Sequence, residues 1–297
     1  MNQTAGTVSE TNEWVTVGAT NGSIGTYNIS GGILNPNFLE VGADGAGTAM
    51  VSGTAQVLAT QVTIGTRDTG VGVVTVTGGL FKSNGKIAVG GDQSGGTGTL
   101  NANGGVIQAQ YLTALEASDA VNSATLSVNG GTLRALGNEA DFIRGFSGTG
   151  THSAIDILAG DATIDSGTFN IRITGSSVIA NPGDALINGL AGTVLNKEGT
   201  GQLTIEGAAG DGFLAVHAKA GILDFESSQT LDALVIDGGA TVTLSDLSSP
   251  PAPPAPAAAA FDTGIAAASV LGVPEPGAIG LLLVSALGML GRRRLKK

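Results

Sequence analysis

Glycine marks a short repeat in the first half of the chain, and this repeat constrains the fold more than any other feature of the sequence. Five stretches contain Gly-Gly or a close variant, and their first glycines are Gly31, Gly53, Gly78, Gly104 and Gly130. They recur roughly every 25 residues, a period typical of solenoid repeats. A second marker, an alternating strand that ends in glycine, keeps a similar period at Gly18, Gly42, Gly65 and Gly90. Two markers with one period indicate one structural unit that recurs along the chain.

Each repeat contains an alternating strand directly before its glycine. The residues four and two positions before the glycine are mostly apolar, and a spacing of two places them on one face of a strand. The residue just before the glycine is Ser, Thr or Asn, which suits a turn. We therefore predict that these side chains point into a core: Tyr27, Ile29, Ala49, Val51, Val74, Val76, Leu100, Ala102, Leu126 and Val128.

The length of the repeat selects the architecture. A propeller blade needs about 40 residues or more, which is too many. A parallel β-solenoid fits, because its coils stack, apolar side chains line its interior and glycine turns its corners. Composition agrees, since glycine makes up 49 of the 297 residues and charged residues only 12%. We predict an all-β fold, a single-stranded parallel β-helix (β-solenoid) over residues 1–247, with an antiparallel sandwich or barrel as the alternative.

A different glycine pattern appears in the second half of the chain. There the sequence KEGTGQLTIEG resembles the autotransporter-associated β-strand repeat, whose core is Lys-x-Gly-x-Gly-x-Leu-x-Leu-x-Gly. The core positions are filled by Lys197, Gly199, Gly201, Leu203, Ile205 and Gly207, and the later Gly-x-Leu piece by Gly221, Ile222 and Leu223. The resemblance implies a solenoid typical of surface-displayed bacterial proteins.

The C-terminal part of the chain departs from the repeat. Residues 248–272 are rich in Pro and Ala, which favour an extended chain, so we predict a linker. The next four residues, Val273, Pro274, Glu275 and Pro276, are held extended by the two prolines. The uncharged residues 277–291 then precede five basic residues, Arg292, Arg293, Arg294, Lys296 and Lys297. This order predicts a short C-terminal transmembrane helix whose basic end stays in the cytoplasm.

Residues 273–297 together resemble the PEP-CTERM sorting domain, in which such a Pro-Glu-Pro motif precedes a transmembrane helix and a basic cluster. The resemblance implies export in a Gram-negative bacterium, transient anchoring in the inner membrane, and recognition by an exosortase-type transpeptidase. It also implies a cell-surface or extracellular location in contact with extracellular polysaccharide of a biofilm matrix. The first residues show no secretory signal peptide, so we expect the natural start to lie upstream.

The expected function is structural or adhesive and not enzymatic. The formal net charge of −11 argues against nucleic acid as a partner. The chain contains no cysteine, which excludes thiol chemistry. We predict no metal and no cofactor, because His152 and His217 are far apart in sequence and single aspartates in glycine loops provide too few ligands.

A polysaccharide-degrading lyase or hydrolase on a β-helix scaffold is the alternative. Its candidate residues are Asp156, Asp161 and Asp165, with His152 and Arg172 near them in sequence. Glycosidase chemistry needs two carboxyl groups roughly 5–10 Å apart, whereas solvated turn aspartates, which we favour, need no such arrangement. Stacking of sugars on aromatic rings has few platforms, because the only Trp and Tyr residues are Trp14, Tyr27 and Tyr111.

Overall fold

The structure is a computed structural model that describes residues 1–67, 69–91, 96–114, 123–146, 152–174, 187–207, 212–227 and 229–245. Within these ranges the regular secondary structure consists of β-strands. The predicted linker and the predicted sorting domain with its transmembrane helix lie outside the described residues. Across the described ranges, no helix has the length and apolar character needed to span a bilayer.

The described part of the chain forms 26 strands. The first half of them are β1 (Asn2–Gln3), β2 (Thr7–Val17), β3 (Ile24–Ile29), β4 (Ile33–Val41), β5 (Ala46–Val51), β6 (Gln56–Ala59), β7 (Gln61–Ile64), β8 (Val71–Val76), β9 (Leu80–Ser83), β10 (Lys86–Val89), β11 (Thr97–Ala102), β12 (Val106–Ala109) and β13 (Tyr111–Thr113). The second half are β14 (Ser123–Val128), β15 (Thr132–Ala135), β16 (Glu139–Arg144), β17 (His152–Ile157), β18 (Ala162–Asp165), β19 (Ile171–Thr174), β20 (Ile187–Gly189), β21 (Val194–Glu198), β22 (Gln202–Ile205), β23 (Ala215–Ala218), β24 (Gly221–Phe225), β25 (Ala233–Ile236) and β26 (Ala240–Leu244).

These strands form three stacks, and the chain visits the stacks in turn. The first stack is a separate sheet of β1, β3, β5, β8, β11, β14, β17 and β20. The second and third stacks belong to one sheet, because β2 and β4 are long enough to run through both. After β4, the second stack contains β6, β9, β12, β15, β18, β21, β23 and β25, and the third contains β7, β10, β13, β16, β19, β22, β24 and β26. One pass through the stacks is a coil.

The coils stack in parallel with the predicted period. Strands β3, β5, β8, β11 and β14 pair in parallel over their full lengths at each step. The first residues of these strands, in order along the stack, are Ile24, Ala46, Val71, Thr97 and Ser123. Each of them stands at the same distance in sequence before the marker glycine of its own repeat. The predicted parallel solenoid is therefore confirmed over this region, and the antiparallel alternative is wrong there.

The predicted interior side chains lie in one continuous hydrophobic core. All ten are buried, and the least buried of them, Tyr27, is only 4% exposed. The Tyr27 hydroxyl donates a hydrogen bond to Gln3 Oε1 at 2.7 Å, which satisfies its polar end inside the core. An interior column of the second stack continues the core from coil to coil through Leu34, Val57, Phe81, Ile107, Leu133 and Ile164.

Glycine is a steric requirement at the corner between the third and first stacks. Gly42 has a φ of 75°, a left-handed conformation that disfavours residues with a Cβ. A Cβ at this position would also overlap the backbone of Val71. At the next corner, the hydroxyls of Ser52 and Thr77 donate to carbonyl oxygens of the preceding coil, at 3.5 and 3.4 Å. Short residues at the corners therefore let neighbouring coils approach closely.

The coils change in size towards the C-terminal end. Ile155 pairs with Ile187, and these two residues are farther apart in sequence than any pair of aligned residues in neighbouring strands from β3 to β14. Ala215 pairs with Ala233, and these two residues are closer in sequence than any of those pairs. The four strands β23 to β26 extend the second and third stacks, and within the described residues the first stack ends at β20. Within the described residues, the coils after β22 therefore contribute strands to the second and third stacks only.

Candidate functional site

The outward side of the first stack carries three parallel columns of uncharged side chains. We call this surface the first-stack outer face, and it spans β3, β5, β8, β11 and β14. The first column is Ile24, Ala46, Val71, Thr97 and Ser123; the middle column is Thr26, Thr48, Val73, Thr99 and Thr125; the last column is Asn28, Met50, Thr75, Asn101 and Ser127. All of them are exposed or partly exposed except Ser127, which is buried.

The first-stack outer face is regular because the register of its strands does not shift. Each step from β3 to β14 aligns every residue of one strand with a residue of the next. The first irregularity comes between β14 and β17, where the register shifts between Ala124 and Leu126. The first charged side chain of the last column, Asp156, also enters there, beside Ser127. The uncharged columns and the unshifted register therefore cover the same five strands.

The first-stack outer face carries both polar and apolar groups. Asn101 Nδ2 donates to Thr75 Oγ1 of the preceding coil at 3.4 Å, so the columns link neighbouring coils. The face also carries five apolar side chains, and the three largest of those that are exposed, Ile24, Val71 and Met50, are 87%, 44% and 42% exposed. The face therefore offers hydroxyl and amide groups for hydrogen bonds and apolar groups for contact with CH surfaces.

The outward sides of the other two stacks carry ion pairs. On the second stack, Arg134 Nε lies 2.8 Å from Asp165 Oδ2, and Lys219 Nζ lies 3.0 Å from Glu198 Oε1. Each pair joins two coils. Because these charges neutralise each other locally, we interpret them as structural contacts between coils.

The residues that we considered for catalysis lie on different stacks. Asp156 is in β17 of the first stack, Asp165 is in β18 of the second, and Arg172 is in β19 of the third. Asp161 lies in the turn before β18 with a φ of 63°, and its Oδ1 accepts a hydrogen bond from the amide of Val194 at 2.8 Å. His152 begins β17. The structure therefore distributes these residues over the solenoid and does not gather them in one cleft.

Arg172 instead meets two glutamates that the sequence analysis did not single out. Its Nη2 lies 2.5 Å from Glu226 Oε2 and 3.3 Å from Glu206 Oε1. The three side chains come from three successive coils of the third stack. Glu206 and Glu226 are separated by the same sequence distance as the paired residues Leu203 and Leu223. The spacing of Glu206 and Glu226 therefore predicts that they lie close together only when the number of residues in this coil is already known.

Asp224 lies on β24, just before Glu226, and is buried. Its carboxylate accepts hydrogen bonds from Thr243 Oγ1 at 2.5 Å and from Ser245 Oγ at 2.7 Å. These partners belong to the following coil, so Asp224 also joins two coils. In the portions of the chain that the structure describes, no group of three or more His, Asp or Glu residues could hold a metal ion.

Lys197 occupies an interior position of the solenoid. It follows Ile164 in the column that Leu34 and Phe81 occupy in earlier coils. The side chain is fully buried, and its Nζ lies 2.6–3.1 Å from five oxygen acceptors. These acceptors are Ser166 Oγ and the carbonyl oxygens of Glu198, Gly199, Gly201 and Ala220. They belong to three successive coils, so Lys197 joins these coils.

The environment of Lys197 explains the glycines around it. Gly199 has a φ of 82°, and a Cβ on Gly201 would overlap the backbone of Phe169. Both residues must therefore lack a side chain for their carbonyl groups to converge on the ammonium. Burial lowers the pKa of Lys197 to about 8, and the negative charge of Asp165 acts in the opposite direction. The ammonium is the major form at neutral pH, and the carbonyl dipoles offset its charge.

The aromatic residues that we considered for sugar stacking are engaged in contacts of their own. Trp14 stacks on Phe38 with 4.5 Å between ring centroids, and the guanidinium of Arg144 lies 4.5 Å from the ring centroid of Tyr111. Both contacts lie on the third stack. Tyr27 is interior, as predicted. These three side chains therefore do not form a row of free aromatic platforms.

The predicted sorting motif Val273–Pro276 and the basic residues Arg292, Arg293, Arg294, Lys296 and Lys297 lie outside the described residues. No protein-family model matches the chain, and no curated protein or solved structure matches it either. The fold defines the protein as a parallel β-solenoid. The resemblances to the PEP-CTERM domain and to the autotransporter-associated repeat stay predictions.

Proposed function

We propose that the protein is an exported, non-enzymatic β-solenoid of the cell surface or extracellular matrix, where it serves as a structural or adhesive scaffold. The ten stacked strands of the second stack, at about 4.8 Å spacing, make a rod roughly 45 Å long. The observation that carries the proposal is the first-stack outer face, which is uncharged across five strands in a chain with a net charge of −11. A long regular face of this kind suits contact with an extended matrix polymer.

The order of segments at the C-terminal end supports export and sorting. In this proposal, Val273, Pro274, Glu275 and Pro276 bind an exosortase-type transpeptidase as an extended segment. Residues 277–291 cross the inner membrane as a helix before processing. The five basic residues that follow stay in the cytoplasm and hold the solenoid on the far side.

Sorting is tested with the full chain behind a Sec signal peptide, in a Gram-negative host that encodes an exosortase. Wild type is expected at the cell surface or in the medium with a reduced mass. Glu275→Ala combined with Pro276→Ala is expected to accumulate uncleaved in the inner membrane. Pro250→Ala, in the predicted linker, is the control and should behave as wild type. The sorting step would be disproved if the double variant reached the surface as wild type does, or if wild type stayed in the cytoplasm.

A polysaccharide-degrading enzyme is the second candidate, and one observation favours it. Glu206 and Glu226 approach the same nitrogen of Arg172, which places two carboxylates near each other, and glycosidases use a pair of carboxyl groups. The test measures release of reducing ends or unsaturated products from a polysaccharide panel. Release by wild type that is lost in Glu226→Gln and kept in the control Glu198→Gln would replace the scaffold proposal. Absence of release by wild type supports the scaffold.

A further inference from the structure

We propose that the first-stack outer face binds an uncharged polysaccharide whose chain runs along the solenoid axis. This inference rests on the proposed scaffold function and names the class of polymer that the scaffold holds. The ligand follows from three properties of the face, which are its period, its chemistry and its area.

The period of the face suits a polymer. Equivalent side chains recur from coil to coil at about 4.8 Å along the axis, and successive outward residues on one strand are about 6.6 Å apart. The middle column repeats Thr in four of its five positions, with Val73 as the exception. A ligand with one repeating unit can therefore meet the same groups several times, whereas a small molecule would use only one coil.

The chemistry of the face suits sugar rings. Hydroxyls and amides can each donate and accept hydrogen bonds, which matches the hydroxyl groups of a carbohydrate. The exposed Ile24, Met50 and Val71 can cover the CH faces of the rings. The face is uncharged while the whole chain carries −11, so a polyanion gains no ion pair there and is repelled by the rest of the molecule. These facts select a neutral polysaccharide over an acidic one.

The area of the face argues against a second copy of the chain as the occupant. Five strands at about 4.8 Å spacing and about 17 Å in length cover on the order of 400 Å². A stable protein–protein interface buries about 800 Å² on each partner. A polysaccharide chain needs only a narrow strip, and its many weak contacts add up over the coils.

Binding is tested by retention of the full chain, in detergent, on insoluble neutral glucans (amorphous cellulose, cross-linked dextran and starch) and on cross-linked alginate as the acidic arm. Wild type is expected to bind at least one neutral glucan and to pass through alginate. The double variant Thr48→Glu with Thr99→Glu places charges on the face in β5 and β11 and should weaken binding at least tenfold. Its control, Gln56→Glu with Gln108→Glu, places the same charges on the second stack in the same coils and should bind within twofold of wild type.

A milder variant separates loss of binding from loss of folding. Thr99→Val keeps the β-branched shape and removes one hydroxyl, and it should weaken retention severalfold with an unchanged circular dichroism spectrum. The proposal is overturned if wild type is retained on none of the three neutral glucans, if alginate retains it better, or if the second-stack control loses as much binding as the face variant. A chain that is exported and processed but fails these tests would leave the sorting proposal intact and remove only this one.

Discussion

Two regions of the solenoid build their interiors differently. In the N-terminal coils, residues 24–144, the second-stack column is apolar and contains Phe81. In the C-terminal coils, residues 187–244, the same column contains Lys197, and its ammonium is surrounded by five oxygen acceptors. A charged side chain can therefore be buried inside a solenoid where enough backbone carbonyl groups point at the charge.

The two regions also differ in how many neighbours each coil has. A coil in the N-terminal region is covered on both sides and contributes a strand to each stack. The last coil that the structure describes, formed by β25 and β26, has one described neighbour and lies in two stacks. Its apolar side chains are about half exposed, at 43% for Leu234, 50% for Ile236 and 55% for Leu244. Because each coil of a repeat protein is stabilised by its neighbours, we expect the C-terminal coils to open first.

The largest effect expected from this comparison is at Phe81. Phe81→Ala removes a fully buried ring and should lower the free energy of unfolding by about 3–5 kcal/mol. The matched change at the other end, Leu244→Ala, removes a half-exposed side chain and should cost less than about 1 kcal/mol. Denaturant titrations of the two variants measure the difference. Equal losses would show that the two ends are equally well packed and would end the comparison.

A smaller effect is expected at Lys197. Lys197→Met keeps the apolar stem but leaves the converging oxygens without their donor, so it should cost about 2–3 kcal/mol. Hydrogen exchange should quicken in β23 and β24 and stay unchanged in β8 and β11. Lys219→Met serves as the control, because its ion pair with Glu198 is partly exposed and should contribute under about 1 kcal/mol. Uniformly faster exchange along the whole chain would show that Lys197 stabilises the entire solenoid and does not act locally.

The same contrast explains what could be predicted from the sequence. In the N-terminal coils the number of residues per coil changes little from one coil to the next. Alternating residues such as Val74 and Leu100 therefore indicate both the strand register and the core. The number of residues per coil then rises between β17 and β20 and falls between β23 and β25, and a method that depends on a constant period fails there. The contact between Arg172 and Glu226 follows only from coil lengths that the sequence does not mark. Lys197 could be aligned with a repeat motif, but its interior place needed the structure.

The smallest of the expected effects is a pH dependence that arises from Lys197 alone. Its folded-state pKa of about 8 lies below the ordinary value of 10.5 because burial disfavours the charge. Between these two values the unfolded chain holds a proton that the folded chain has released, so the free energy of unfolding rises with pH in this window. Below it, both states are protonated and the cost of burying the ammonium is present in full.

For wild type, this linkage should raise the free energy of unfolding by about 1 kcal/mol between pH 7 and pH 9, relative to the variant Lys197→Met measured in parallel. The variant serves as the reference because it retains every other titratable group, so the difference between the two curves isolates Lys197. A difference that stays flat across this range would mean that the five oxygens stabilise the ammonium enough to cancel the effect of burial. If the oxygens more than cancelled the effect of burial, the folded-state pKa would exceed 10.5, and the difference would fall only as the pH rises above that value. In both cases the C-terminal coils would depend on the charge of Lys197 and not only on its stem.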